Sequence, residues 1–260
     1  MTGGVPYNAE AVHENFRDLT ELRAFARWLI EQWDRVRVRP FEMKPEFARG
    51  GGQMIWSYTN HVVELMRTVL ALSEQNRLVI ALPLIRLMVE NAVTSIWLYL
   101  EPENVRAVIH EGLRLRKAAL ENVLETAAEG YDQSDVDEVA EEMEEFAQHD
   151  LPAGRSFEQR CRSIAGGMDV YMSWRVLSSL SHAGMAMGDF YLEEIDQAPG
   201  IAFAPDVEAP NHEPWLGTAI CMVIAALKTC NEIDGKGRLR AQVARAEKRM
   251  GISMTLQKAK

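Results

Sequence analysis

The spacing of apolar residues predicts helices from one end of the chain to the other. Over residues 14–36, apolar side chains return every three or four positions, as on one face of an amphipathic helix. The same spacing recurs in seven further segments, at residues 54–73, 105–129, 134–148, 156–165, 168–187, 215–232 and 235–250. No segment alternates apolar and polar residues over the length of a strand. The pattern therefore predicts an all-α protein, a multi-helix bundle of seven to nine helices.

The segment Leu78–Leu100 differs from the others because apolar residues surround it on nearly every side. It also contains Pro83, Arg86, Glu90 and Asn91, so it lacks the uninterrupted apolar run of a membrane span. Such a helix is expected at the centre of the bundle. Arg86 and Glu90 lie four residues apart, and a buried charge needs a partner. They form either an ion pair that fixes helix register or part of a polar site in which Glu90 orients another group.

Segments rich in proline and glycine divide the chain into three parts. Residues 37–53 hold two prolines and three consecutive glycines, so residues 1–53 are interpreted as an N-terminal helix and a hinge loop. Residues 54–235 form the main helical domain, with an acidic helical insertion at about residues 121–150. Residues 236–260 form a basic C-terminal helix and a tail that is expected to fray. Residues 193–214 contain four prolines and are expected to be a long surface loop.

Charge is spread unevenly along the chain. The formal net charge is −10, yet residues 121–150 hold twelve Asp and Glu with no Lys or Arg, and residues 234–260 hold eight Lys and Arg against two acids. Overall acidity argues against a general electrostatic grip on nucleic acid, but it leaves room for a local basic surface. The three cysteines have no CxxC spacing, and the N-terminal residues do not have the pattern of a signal peptide. These features favour a cytoplasmic protein with reduced thiols and no membrane span.

The main candidate for chemistry is the stretch YMSWRVLSSLSHAG, at residues 171–184. On an uninterrupted helix, Arg175 and His182 lie two turns apart and about 20° apart in rotation. Ser178 and Ser179 fall between them, so a guanidinium, two hydroxyls and an imidazole share one stripe. Arginine binds oxyanions with two hydrogen bonds, and histidine changes charge near neutral pH. The stripe is therefore suited to phosphate chemistry.

Other polar residues are expected to complete a small cavity around this stripe, namely Arg86, Glu90, Asn91 and Tyr171. An architectural interpretation stays open, in which His182 caps its helix and the serines pack between helices. The chain has no HExxH or HxxxH pairing, no phosphate-binding glycine loop and no G-x-S-x-G elbow. We therefore expect no metal and no cofactor.

The context Y..WR.LSSLSH.G, together with Arg86 and Glu90 upstream, resembles the bacterial DUF5677 family, which has been grouped with the HEPN superfamily and its R-x4–6-H motif. The resemblance covers residues 54–235 and implies a HEPN-like core, with additional N- and C-terminal helices, that often dimerises. In active members it implies metal-independent RNA cleavage in toxin–antitoxin, abortive-infection or other phage-defence systems. Carried over, Arg175 would bind the scissile phosphate and His182 would act as general base or acid. In many active members a polar residue follows the arginine, whereas this chain has Val176.

Two further functions stay open at the level of sequence. The protein could be a non-enzymatic scaffold or regulator that binds a basic protein partner through residues 121–150. It could also hold a small ligand in a pocket made from Arg86, Glu90, Tyr171, Arg175 and His182. The sequence thus predicts RNA, a second copy of the chain and a protein partner as candidate partners, without deciding among them.

Overall fold

The fold is all-α, as the apolar pattern predicts. The computed structural model describes residues 16–48, 50–126, 130, 132–194, 201–203 and 212–260. Its α-helices are α1 Leu19–Arg37, α2 Gly51–Glu74, α3 Leu78–Leu100, α4 Val105–Glu125, α5 Gln133–Glu144, α6 Pro152–Arg155, α7 Phe157–Arg162, α8 Gly167–Ser179, α9 Met185–Gly188, α10 His212–Ile233 and α11 Arg240–Met250. The number exceeds the prediction because α6 and α9 are single turns, which are too short to show a periodic pattern.

Short 3₁₀ turns and one small hairpin connect these helices. The 3₁₀ turns are Pro45–Phe47, Pro102–Asn104, Ala147–His149 and Asp189–Tyr191. Strands β1 (Leu192–Glu194) and β2 (Ile201–Phe203) pair antiparallel, with Leu192 opposite Phe203. Part of the segment expected to be a long loop is therefore a hairpin, and α10 begins before its end. Residues 195–200 and 204–211 of that prediction lie outside the described residues.

Helices α1, α2, α3 and α10 pack together around the main core. Each contributes fully buried side chains, for example Trp33, Met66, Ile85 and Val223. Helix α3 has the predicted bounds and contains Pro83 inside it. Its central position is what an apolar surface on nearly every side requires, since that surface is stabilised by burial on several sides.

Two helices in the described part of the chain, α3 and the Pro214–Ile233 portion of α10, are long and apolar enough to cross a membrane. In the most apolar window of each, 61% and 89% of the residues are buried inside the bundle. Core helices commonly satisfy the same length and composition criteria. These two helices are therefore weak grounds for assigning a membrane protein.

Helix α2 begins at Gly51, three residues earlier than the apolar pattern predicts. A Cβ atom on Gly52 would lie 2.8 Å from the carbonyl oxygen of Phe47, and Gly50 has a φ of 104°. The glycine run therefore permits a close chain approach and a left-handed turn at the start of a helix. The preceding loop is tied to the end of α10, because the Lys44 amide donates to the carbonyl of Ile233 at 2.9 Å.

The residues after α11 are held against the bundle, contrary to the expectation that they fray. The amide of Ala165 donates to the carbonyl of Gln257, and the amide of Ala259 donates to that of Ser163, each at 2.9 Å. Met254 is 3% exposed, so the tail also contributes to the core. This pairing braces the connection that leads into α8.

Helices α4 and α5 form a pair at the periphery of the bundle, with α5 packed on α4. Val136 and Val139 are the buried side chains of α5. Asp132 caps its first turn by accepting from the amide of Ser134 at 2.7 Å. The helix ends at Glu144, earlier than predicted, and residues 127–129 of the predicted preceding helix lie outside the described residues.

Candidate functional site

Helix α8 packs on α3 and α7. Two glycines at its start allow it to lie close to α7. Gly166 has a φ of 72°, in the left-handed region that favours glycine. A Cβ atom on Gly167 would lie 2.9 Å from the carbonyl carbon of Cys161, so a side chain there would displace α7 or α8. Leu177 is fully buried and Val170 nearly so, and these side chains anchor α8 in the core.

The junction of α3 and α8 is built on a cluster of three side chains, Arg86, Glu90 and Trp174. The indole nitrogen Nε1 of Trp174 donates to Oε1 of Glu90 at 2.7 Å. The guanidinium carbon of Arg86 lies 5.2 Å from the Trp174 ring centroid, and its Nε lies 3.1 Å from the same carboxylate oxygen. That Nε is not aligned for a hydrogen bond, so the Arg86–Glu90 contact is an ion pair by distance. The carboxylate thus fixes both the indole and the guanidinium.

Aromatic packing extends this cluster toward α7. The Tyr171 ring stacks on Trp174 with centroids 5.6 Å apart, and Phe157 lies 4.9 Å from Trp174. The Tyr171 hydroxyl donates to Oε2 of Glu158 at 3.1 Å. Arg162 also binds this carboxylate. Its hydrogen bond is the larger cause of the lowered pKa of Glu158, and the hydrogen bond from Tyr171 is the next.

Arg175 is exposed on the Tyr171 side of α8. The Tyr171 hydroxyl, followed by the charge of Glu158, raises the pKa of the Arg175 guanidinium above its ordinary value. Arg175 is therefore a permanent surface cation held near an aromatic platform. The described residues place no carboxylate within salt-bridge distance of it.

The structure corrects the prediction that Arg175 and His182 share one helix. Helix α8 ends at Ser179, and His182 lies in the turn beyond it. The Ser179 hydroxyl donates to the carbonyl of Val176 at 2.8 Å, and that of Ser181 to the carbonyl of Leu177 at 2.6 Å. Serine hydroxyls that bind nearby carbonyls compete with helical hydrogen bonds, so the serine-rich segment favours a turn here.

This turn brings His182 to α3. Its Nε2 atom lies 3.2 Å from Nη1 of Arg86, and the imidazole is exposed. A guanidinium can only donate, so a hydrogen bond here requires Nε2 to accept, which only a ring with its proton on Nδ1 can do. The sequence left two alternatives for Arg86 and Glu90, an ion pair or a polar site in which Glu90 orients another group. The structure has the ion pair. Glu90 in addition binds Trp174, and Arg86 is the residue that contacts His182.

The other predicted site residues are less closely engaged. The Asn91 side chain donates to the carbonyl of Leu87 in its own helix at 2.7 Å. Ser178 is half-buried, and Ser179 is exposed with its hydroxyl on the backbone. Among the described residues, no side-chain hydrogen bond joins these three to Arg175 or His182. Arg86 therefore contacts both Glu90 and His182, and Trp174 connects this cluster to Tyr171. Arg175 is linked to the cluster through Tyr171.

On the predicted helix, Val176 lies on the side opposite the Arg175 stripe, which could face the core, but the structure exposes this side chain. It is 47% exposed, whereas its neighbour Leu177 is fully buried. Met172, one turn earlier, is 62% exposed. An apolar surface therefore lies beside Arg175 on the outward side of the helix.

Trp174 and Glu158 are the residues of this site that the sequence reasoning missed. A tryptophan at an apolar helical position is usually a core residue, but a partly buried indole N–H needs an acceptor. Glu90, an unexplained carboxylate on an otherwise apolar helix, was the available signal for that acceptor. Glu158 gave no comparable signal, because it lies in an ordinary amphipathic segment.

Cysteine chemistry does not contribute to this site. All three cysteines are buried and free, and burial raises the pKa of Cys161 and Cys221 to about 12. Thiolates are therefore scarce near neutral pH. Within the described residues, no group of three or more His, Cys, Asp and Glu side chains is placed to hold a metal ion.

Fold and site together define an all-α bundle protein with an exposed arginine–histidine contact where α8 meets α3. The chain belongs to DUF5677, which is described as a family of unknown function and whose model matches residues 55–199. The matched range contains Arg86, Glu90, Arg175 and His182. Comparison with curated proteins and with solved structures gave no match.

Proposed function

We propose that the protein is a metal-independent endoribonuclease of the HEPN type, acting in a toxin or phage-defence system. The observation that carries the proposal is the contact between His182 Nε2 and Arg86 Nη1 at 3.2 Å on an exposed surface. An imidazole whose Nε2 faces a guanidinium offers a proton acceptor next to a phosphate binder. Arg175, on the adjoining helix, supplies a second cation.

In this proposal Arg175 and Arg86 bind the phosphate to be cleaved, and His182 handles the proton. When Arg86 turns from His182 to a phosphate oxygen, Nε2 becomes free to accept the proton of the 2′-hydroxyl. The 2′-oxygen then bonds to phosphorus, and the bond from phosphorus to the 5′-oxygen breaks. The proton held by His182 passes to the departing 5′-oxygen, which leaves a 2′,3′-cyclic phosphate. No metal is needed for this sequence of steps.

Glu90 and Trp174 act as positioning residues in this account. The Glu90 carboxylate is 28% exposed at its side chain and binds both the Trp174 indole and the Arg86 guanidinium. It therefore limits the orientations that Arg86 can take without contacting the substrate itself. Limiting these orientations lowers the entropic cost of binding the phosphate.

We further propose that two copies of the chain face each other across α8, so that the cleft is built at a dimer interface. The support is the exposed apolar surface of Met172 (62%) and Val176 (47%) beside Arg175. Val176→Asp should then shift the mass measured by sedimentation equilibrium toward the monomer. Val38→Asp is the matched control, because Val38 is an exposed valine at the end of α1. A wild-type protein that sediments as a monomer at every concentration would contradict this part.

The cleavage proposal is tested with purified protein and a single-stranded RNA in the presence of EDTA. The expected product ends in a 2′,3′-cyclic phosphate, and His182→Ala should lower the rate by roughly 10²- to 10⁴-fold. His149→Ala is the matched control, since His149 Nε2 lies 3.4 Å from Nη1 of Arg106. Circular dichroism checks that both variants are folded. Equal cleavage by His182→Ala and wild type would remove His182 from the mechanism.

A second proposal concerns the acidic segment, which we propose binds a basic protein partner. Its support is that α5 carries exposed carboxylates at residues 137, 138, 141, 142 and 144, and none of them forms a salt bridge within the described residues. A partner would therefore neutralise charges that currently repel one another. Replacing these five acids by Gln or Asn should abolish capture of the partner and leave RNA cleavage unchanged. Capture that survives this replacement would refute the second proposal.

A further inference from the structure

A recess of about 470 Å³ lies between α1 and α11, away from the helices that carry the arginine–histidine contact. Its lining consists of two aromatic and three basic side chains: Phe25, Trp28, Arg245, Lys248 and Arg249. The three cations fall at positions i, i+3 and i+4 of α11, so they project from one face of that helix. The volume is in the range of about 300–1,000 Å³ that small-molecule sites usually have.

The two arginines of the recess are held in place by aromatic rings. The guanidinium carbon of Arg245 lies 5.1 Å from the Trp28 ring centroid, and that of Arg249 lies 4.6 Å from the Phe16 centroid. Trp28 is itself stacked against Phe25, with centroids 5.5 Å apart. A guanidinium that stacks through its face keeps its N–H edge available for an oxyanion. These arginines are therefore partly ordered before any ligand binds.

The charge around the recess also favours an anion. Within the described residues, Arg245 and Lys248 form no salt bridge. Glu247, their neighbour on α11, is engaged elsewhere, because it binds Lys228 at 2.6 Å and the amide of Met254 at 2.9 Å. The carboxylate that does approach the recess is Glu21, 3.3 Å from Arg249. Its charge is shared with a second cation.

That second cation is Arg17, whose Nη2 lies 2.6 Å from Glu21 Oε1. Hydrogen bonds from the Arg17 backbone and side chain lower the pKa of Glu21, so this carboxylate stays ionised and paired. The remaining charge at the recess is therefore positive. This contrasts with the overall net charge of −10.

We infer that this recess binds the phosphate group of a nucleotide, with Arg245, Lys248 and Arg249 as donors and the aromatic wall beside them. The inference does not rest on the proposed nuclease activity, because the recess uses other helices and other residues. The shared chemistry is a phosphate ester, which a free nucleotide or an RNA strand can supply. These three cations can bind a phosphate through several charge-assisted hydrogen bonds.

The test is isothermal titration calorimetry on the full chain with inorganic phosphate, adenosine 5′-monophosphate and a 2′-O-methyl oligoribonucleotide. We expect the nucleotide or the oligonucleotide to bind, with an affinity that falls as salt is raised from about 50 to about 200 mM. The arms separate the two sources, since tighter binding of the mononucleotide indicates a free nucleotide and tighter binding of the oligonucleotide indicates RNA.

The double variant Arg245→Gln/Lys248→Gln should lose at least about tenfold in affinity, the loss expected for removing charge-assisted hydrogen bonds. Arg240→Gln is the matched control, because Arg240 is an exposed cation of α11 that does not line the recess. The oligonucleotide can also bind the proposed nuclease site, so the loss in Arg245→Gln/Lys248→Gln is the result that reports on the recess, and an undiminished affinity in this double variant would overturn the inference. Absence of binding by all three probes would overturn the inference. An equal loss in Arg240→Gln, or binding of inorganic phosphate alone, would overturn it as well.

Discussion

In the part of the chain that the structure describes, two arginine–histidine contacts of nearly equal length lie in different surroundings. Arg86 and His182 are 3.2 Å apart where α3 meets α8, and Arg106 and His149 are 3.4 Å apart beside the acidic segment. Distance alone therefore does not mark a functional pair. The two contacts differ in the charges around them and in how firmly the arginine is held.

At the second contact, the nearby arginines are paired with carboxylates. Glu103 lies 3.4 Å from Arg106, and Asp150 pairs with Arg155. His149 itself belongs to the segment of residues 121–150, which carries twelve acids and no base. A phosphate there would compete with carboxylates for these arginines.

At the first contact, the nearby carboxylate Glu90 is shared between Arg86 and the Trp174 indole, and a further exposed cation, Arg175, stands on the adjoining helix. Arg86 is oriented by a ring and a carboxylate, and within the described residues Arg175 has no carboxylate at salt-bridge distance. The comparison teaches that local charge and the fixing of the arginine, more than the contact itself, distinguish a candidate phosphate site.

The largest difference between the two contacts is expected when the arginine of each is replaced by alanine. Arg86→Ala should lower RNA cleavage by roughly 10²- to 10³-fold, because a donor to the developing phosphate charge is lost. Arg106→Ala should leave the rate unchanged. Single-turnover rates of both variants provide the measurement, and comparable losses in the two would remove the distinction between the pairs.

A smaller effect is expected when Arg175 is replaced by lysine, which keeps the positive charge but lacks the planar guanidinium. Arg175→Lys should lower cleavage by about 10- to 100-fold, since an ammonium cannot bind a phosphate with two parallel hydrogen bonds. Arg162→Lys is the matched control on α7, where the arginine binds Glu158. The rates are compared at saturating RNA. A cleavage rate in Arg175→Lys equal to that of wild type would show that only the charge at this position matters.

The smallest effect on cleavage is expected from removing the indole N–H that binds Glu90. Trp174→Phe removes the 2.7 Å hydrogen bond to the carboxylate and keeps most of the aromatic packing. We expect a loss of about 1–2 kcal/mol in the free energy of unfolding, measured in urea, because a charge-assisted bond to a half-buried group is lost. Cleavage should fall only a few-fold, because Arg86 keeps its ion pair. Unchanged stability would show that Glu90 does not depend on this donor.

Much of the helical core could be predicted from the sequence, because most helices bury a periodic apolar face and α3, which is apolar on nearly every side, lies in the core with its predicted bounds. The site could be anticipated only in part. The motif Arg175-x6-His182 was recognised, but its geometry was not, because the serines after Val176 bind backbone carbonyls and end the helix. The contact of Arg86 with His182 depends on the packing of α8 against α3, which no local spacing encodes. The same holds for the tail that pairs with Ser163.

The most direct test of the central claim is an NMR titration of the histidine side chains with a 2′-O-methyl oligoribonucleotide, which binds but cannot be cleaved. The account predicts that the His182 imidazole signals move as Arg86 turns to the phosphate, that those of His149 stay in place, and that Arg175→Ala weakens the response. Signals of His182 that stay in place, or that move no more than those of His149, would contradict it.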